Sequence, residues 1–222
     1  MSHPVTWNEG RVSLSGVEVT IDPSLSPLIQ SVLRGGSYES PERALVEEYL
    51  RPWDTVVELG AGLGIISTLC AKKVGGDKVF AYEANPQMIP LIRDTYRLNG
   101  VQSIYLKNCI LGEKDGETTF YLHEDFWRSS TVPFAPADSV CVPVVNASAE
   151  LDAIKPSFLI CDIEGGEFDL FKTLSYPMSL TKILIEVHPQ GGKEVDRLLA
   201  DFYAAGFTLI ETVGVVWILT RE

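Results

Sequence analysis

The chain has 222 residues, 45% hydrophobic and 22% charged, which is enough apolar content for one sizeable core and too little length to favour two full domains. Its formal net charge of −12 repels phosphate backbones and anionic lipid, excluding nucleic acid and membranes as main partners and leaving a small or neutral substrate. No apolar run approaches the roughly 18 residues of a membrane span, Met1-Ser2-His3-Pro4 does not open a signal peptide, and Cys70, Cys109, Cys141 and Cys161 lie apart in apolar contexts with no Cys-x-x-Cys pair, so the expectation is a cytoplasmic protein with four buried thiols and neither disulfides nor zinc.

In chain order, residues 11–15 and 17–21 alternate around Gly16 and predict a small hairpin. Residues 24–33 predict a short helix stopped by Gly35-Gly36. Ser40-Pro41-Glu42 reads as a helix start, with Ser40 as N-cap, proline at the first helical position and an acid in the first turn, running to Arg51-Pro52. Residues 1–52 are expected to form an extension, a lid or a dimer contact, on a main domain over 53–222. There the pattern becomes strand 54–59, helix 62–73, strand 78–83, helix 86–98 closing at Asn99-Gly100, and strand 103–108. This βαβ rhythm implies a parallel sheet. Residues 109–112 and 117–122 flank Asp115-Gly116, a hairpin turn signal, and a strand over 140–145 follows. Strands 157–162 and 181–187, helix 193–204, and a closing antiparallel hairpin of strands 207–211 and 214–220 complete the prediction.

The run Val56-Val57-Glu58-Leu59-Gly60-Ala61-Gly62-Leu63-Gly64 ends a buried strand in a carboxylate and three alternate glycines. A dinucleotide fingerprint needs glycine at its first, third and sixth positions; Gly60 and Gly62 fit, but Ile65 occupies the sixth. Pyrophosphate recognition is therefore unsupported. A turn led by Glu58 and built of Gly60, Ala61, Gly62 and Gly64 can instead surround a ligand carrying an amine and a carboxylate. S-adenosylmethionine is such a ligand. Glu83, with Ala84 beside it, ends the next strand 23 residues after Gly60, near the ~20 expected of an acid accepting both ribose hydroxyls. Asn85 is expected to cap the following helix, and Asn108 and Cys109 lie on the rim where an adenine would rest.

A second centre is Cys161-Asp162-Ile163-Glu164-Gly165-Gly166-Glu167. Carboxylates this dense at a strand end are costly unless a cation, a proton or hydrogen-bond donors compensate. Asp162 is expected to face the crevice beside the ligand, Glu164 to orient a substrate hydroxyl and Glu167 to sit in a first helical turn. His188, one strand over, titrates near neutrality and is a natural base toward an alcohol, with Glu186 on the same side of its strand. Asp162, Glu164 and His188 are also ligands suited to magnesium or manganese; lacking a short ligand motif, they are read as metal-free. His3 and His123 receive no role.

Together these residues resemble the class I S-adenosylmethionine-dependent methyltransferases, and the FkbM family in particular. The matching blocks are Tyr38-Glu39-Ser40-Pro41-Glu42, residues 57–64, Tyr82-Glu83-Ala84-Asn85-Pro86, Leu151-Asp152, residues 159–167 and Ile185-Glu186-Val187-His188-Pro189. Position 58 is glutamate where that family usually has aspartate. The resemblance implies an α/β, Rossmann-like doubly wound sheet of seven strands, mostly parallel with an antiparallel last strand. It implies O-methylation of a hydroxyl on a sugar or secondary metabolite, with Glu58 and the glycines at the methionine moiety and Glu83 at the ribose. His188, Asp162 and Glu164 would then position or deprotonate the acceptor, and residues 123–140 with the N-terminal segment would form a lid. The alternatives are a nicotinamide-dependent oxidoreductase and a non-catalytic scaffold of the same fold.

Overall fold

A computed structural model describes residues 6–8, 10–135, 138–188 and 192–222; His3 and Pro189 lie outside them. The chain begins with an antiparallel sheet, β1 (Thr6–Asn8), β2 (Arg11–Leu14) and β3 (Val17–Thr20), in which β2 and β3 form the expected hairpin and β1 adds an edge. Helix α1 (Pro27–Gly35) starts later than the sequence suggests. Ser26, not Ser24, caps it by accepting the Ile29 N–H at 3.2 Å, and Gly36 ends it at a φ of 76°. Helix α2 (Ser40–Tyr49) also corrects an expectation, because Ser40 is its first residue rather than its cap. The residue before it, Glu39, takes a left-handed φ of 49° and makes no side-chain cap.

The main sheet follows: β4 (Val56–Leu59), α3 (Ile65–Val74), β5 (Val79–Glu83), α4 (Ile89–Leu98) and β6 (Tyr105–Asn108). Next come β7 (Ile110–Gly112), β8 (Gly116–Leu122), β9 (Asp138–Asn146) and α5 (Ala147–Ile154). The chain closes with β10 (Phe158–Cys161), α6 (Glu167–Thr173), β11 (Lys182–Glu186), α7 (Gly192–Ala204), β12 (Thr208–Val213) and β13 (Val216–Thr220). The seven-stranded order is β12-β13-β11-β10-β4-β5-β6. Only β13 runs against its neighbours, as the resemblance implies. Successive residues of the buried strands face opposite sides. Val56, Ile160 and Leu184 pack under α2, α3 and the N-terminal segment, while Val57, Leu159 and Ile183 pack under α5, α6 and α7.

The hairpin expected around Asp115-Gly116 is absent: β7 and β8 both pair with β9, which lies between them. A seven-residue antiparallel ladder, Gly116↔Val144 through Leu122↔Asp138, outweighs a local turn signal next to a three-residue strand. Helix α5 was not expected. Asn146 starts it, its Oδ1 accepting the Ala149 N–H at 2.8 Å. Asn85 does not cap α4; its Oδ1 accepts the Gln87 N–H at 3.0 Å in the turn before that helix. Three of the four thiols are buried, but Cys141 points outward from β9, which corrects the expectation of four buried cysteines.

Candidate active site

Leu59, Cys161 and Ile185 share one row of the sheet register, so the residues after them, Gly60, Asp162 and Glu186, stand side by side at the carboxyl ends of three strands. A cavity of about 390 Å³ opens at these carboxyl ends, inside the ~300–1,000 Å³ range of ligand sites and at the place where open α/β sheets bind them. Its wall includes Gly60, Gly62, Glu83, Ala84, Cys109, Asp162 and Glu164, together with Tyr38, Glu39, Phe126 and Trp127. Gly60 and Gly62 have φ values of 83° and 55°, and a methyl group on Gly60 would strike the Asp162 carbonyl oxygen. Gly60 therefore lets the turn lie directly against the backbone of Asp162, and both glycines line the cavity.

Glu83 is 7% exposed. Its Oε2 accepts the Gly62 N–H at 2.9 Å and its Oε1 the Asn85 N–H at 2.7 Å. Burial pushes its pKa up to about 7, against the pull of those backbone donors. A carboxylate so held still has lone pairs for a vicinal diol. Glu58, Ala61, Gly64 and Asn108 lie behind the wall. Glu58 sits under the turn, its Oε1 accepting the Ser67 N–H in α3 at 3.1 Å, and burial pushes its pKa up to about 8. The Ala61 N–H bonds the Tyr82 carbonyl at 3.2 Å. Gly64 is pressed against Ile92 and Tyr96 of α4. Asn108 donates to the carbonyls of Glu83 and Ala84 at 2.7 and 2.9 Å, tying β6 to the β5 turn.

A second cavity, about 410 Å³, shares Tyr38, Glu39, Trp127, Asp162 and Glu164 with the first and adds Glu42 and Glu186. Next to Asp162, Glu164 and Glu186, His188 stands among carboxylates. Nδ1 lies 2.8 Å from Glu167 Oε1, while Nε2 lies 3.3 Å from Glu164 Oε2, 3.8 Å from Glu186 Oε1 and 3.9 Å from Asp162 Oδ1. Glu167 opens α6, is fully buried, and also receives the N–H groups of Ile163 and Gly165 at 3.4 and 3.2 Å. It thereby fixes the turn that carries Asp162 and Glu164. Glu164 takes a left-handed φ of 54° at the tip of that turn, a conformation uncommon outside glycine.

Burial disfavours a charge on His188, but the hydrogen bond to Glu167 and the fields of Glu167, Glu164 and Glu186 outweigh it and push its pKa up to about 9. The ring is an imidazolium at neutral pH. Burial, reinforced by Glu186 and Glu164, holds Asp162 well above the usual carboxylate range. Glu164 is pushed up to about 7 by burial, with His188 opposing. The structure places Asp162, Glu164 and His188 near one another; sequence reasoning assigned no individual part to Tyr38, Glu39 or Glu42, which line the cavities beside them. The two acids flanking Ser40-Pro41 were the available signal.

Six parallel strands with an antiparallel seventh, and a cavity over a glycine turn between acidic strand ends, define a class I methyltransferase fold. Residues 58–209 match the Methyltransferase FkbM domain, and the chain belongs to that family, whose methyl donor is S-adenosylmethionine. Over 134 residues the chain is 28% identical to the ribosomal protein L11 methyltransferase of Thermus thermophilus, covering 59% of this chain and 44% of that protein. It thus spans less than half the length of that relative. The solved ribosomal protein L11 methylase of Lactobacillus delbrueckii subsp. bulgaricus superposes with a TM-score of 0.50 at 14% identity, over 85% of this chain and 81% of that one. Sp1610 of Streptococcus pneumoniae, solved in complex with S-adenosyl-L-methionine, gives 0.51 at 11% identity over 82% and 73%. At these identities the two structures are alike in fold.

Proposed function

We propose that this chain transfers a methyl group from S-adenosylmethionine to a hydroxyl of a small molecule, such as a sugar or a secondary metabolite. The observation that carries the reading is the single cavity running from Glu83 and the glycine turn to Asp162 and Glu164. The donor fits it: Gly60 and Gly62 line the cavity, a buried carboxylate stands ready for ribose hydroxyls, and partnerless acidic oxygens await a cationic sulfonium and amine. Bound there, S-adenosylmethionine supplies a methyl whose bond to sulfur breaks, its electron pair staying on a neutral thioether, as the acceptor oxygen forms the new bond and gives up a proton. The protein then has to align the two centres and receive that proton. Asp162 and Glu164 are suited to accept it, and His188, already protonated, to orient them. Glu58 supports the glycine turn from below. Residues 1–52 act as a cover over the cavity in this reading, because Tyr38 and Glu39 stand in its wall; the 53–222 remainder is the methyltransferase domain.

Family membership favours methyl transfer over the nicotinamide alternative. A nitrogen acceptor is the second reading, supported by the surplus of carboxylates around both cavities and by the relative named for a ribosomal protein. Incubation with methyl-labelled S-adenosylmethionine and panels of sugars, phenols, amines and ribosomal protein decides between them. Label in an acid-stable methyl ether is the expected result, and label found only on nitrogen would replace it. Calorimetry tests the donor. Glu83→Ala is expected to weaken its binding about 10–100-fold, the ~1.5–3 kcal/mol of charge-assisted hydrogen bonding. No heat from the unaltered chain would leave only the scaffold reading.

A further inference from the structure

We infer that Asp162, Glu164 and His188, joined by Glu186, form a binding site for one divalent cation of the manganese class. One donor atom from each of Asp162, Glu164 and His188 lies within 4.8 Å of the other two. Two ligands held about 2.1 Å from an octahedral ion stand ~3–4.2 Å apart, and the Nε2 separations of 3.3, 3.8 and 3.9 Å fall in that span. An incoming divalent ion would displace the Nε2 proton of the imidazolium: Nδ1 is held by Glu167 Oε1 at 2.8 Å, and Nε2 already points toward three carboxylate oxygens. A buried carboxylate donating orientation to a ligating imidazole in this way is the usual outer shell of a metal site.

Two further observations favour a cation here. Asp162 Oδ1, the oxygen that faces Nε2, is shielded from solvent and has no hydrogen-bond partner. Glu42, 5% exposed, reaches Glu186 in the same cavity and leaves its Oε2 without a partner. The nearby Arg43 does not answer them, since its guanidinium donates to the carbonyls of Tyr38 and Gly36 and to Ser15 Oγ. Mixed carboxylate and imidazole donors without thiolate, partly open to water, suit manganese better than magnesium or zinc. If the acceptor hydroxyl lies at these strand ends, as proposed above, the ion stands beside it.

Titrating the full chain with MnCl₂ under electron paramagnetic resonance tests the site. The expected result is one Mn²⁺ per chain, with nitrogen coupling from an imidazole in the spin-echo modulation. Glu164→Gln and His188→Gln should each weaken binding at least tenfold, and His188→Gln should remove the nitrogen coupling; Glu48→Gln, an exposed acid on α2, should change nothing. Should either variant fail to fold, the nitrogen coupling of the unaltered chain decides alone. No Mn²⁺ bound, binding undiminished in both variants, or no imidazole coupling would overturn the site. Calorimetry with S-adenosylmethionine, run in parallel without metal, keeps failure of the donor reading separate from failure of this one.

Discussion

At the amino ends of the strands Asp54 is saturated. It pairs with Lys182 and accepts the Arg51 N–H and Ser157 Oγ–H at 2.7 Å each. At the carboxyl ends of the same strands the acids are left wanting. Among the described residues, five of the seven buried side-chain oxygens without a partner are carboxylate oxygens of Glu39, Glu42, Glu58, Asp162 and Glu167, all near that end. Buried charge is costly in both places; an ion pair and two hydrogen bonds answer it at the first end, while raised carboxyl pKa values and one imidazolium answer it at the second and leave oxygens over. The contrast separates an acid whose partners close the fold from acids whose oxygens the fold leaves without hydrogen bonds.

The sharpest way to break the comparison is to remove one acid from each end. Asp162→Asn should lower kcat by about 10²–10⁴-fold, as expected for loss of a proton acceptor, with the urea midpoint unchanged or raised; equal loss of folding would make Asp162 a structural acid. Asp54→Ala should do the reverse, costing about 3–5 kcal/mol in urea unfolding because Lys182, 13% exposed, is left without its partner. A smaller effect comes from Glu58, which ionises near 4.5 when unfolded and about 8 when folded. The folded state binds the extra proton between those values, so its contribution is full below about 4.5 and is lost as pH rises through about 8. Tm should therefore fall between pH 6 and pH 9, and Glu58→Gln should flatten that slope; an unchanged slope would place the proton elsewhere. Smallest is Glu42→Gln, expected to raise stability by roughly 0.5–1 kcal/mol by relieving its contact with Glu186. A loss instead would mean that the Glu42 charge is already compensated.

The parallel core was legible in the sequence because its signals are local. An apolar run, a glycine turn and an acid at a strand end need no distant partner to be recognised, and Gly60, Glu83 and Asp162 all came to the cavity wall. Pairings set by distant residues were not legible. The Asp115-Gly116 turn looked like a hairpin because nothing nearby reveals that β9 inserts between β7 and β8. Tyr38 and Glu39 enter the site from a segment before β4, and their role depends on packing against Phe126 and Trp127 from a loop nearly ninety residues on. His188 was found by type and place, but its charge state was not, since it is fixed by Glu167, whose burial depends on the fold of α6.

The position of β13 between β11 and β12 makes one strand the bridge by which another joins the sheet. β12 meets the sheet only through β13, a segment the ribosome makes later. Truncation before Val216 therefore strips two strands and bares the flank of β11, the strand that leads to Glu186 and His188. It also removes Arg221, whose Nε donates to the Leu180 carbonyl at 2.6 Å just ahead of β11. Without β13 the acids and the imidazole of the crevice are all present on the chain, but the strand that carries Glu186 loses its antiparallel neighbour.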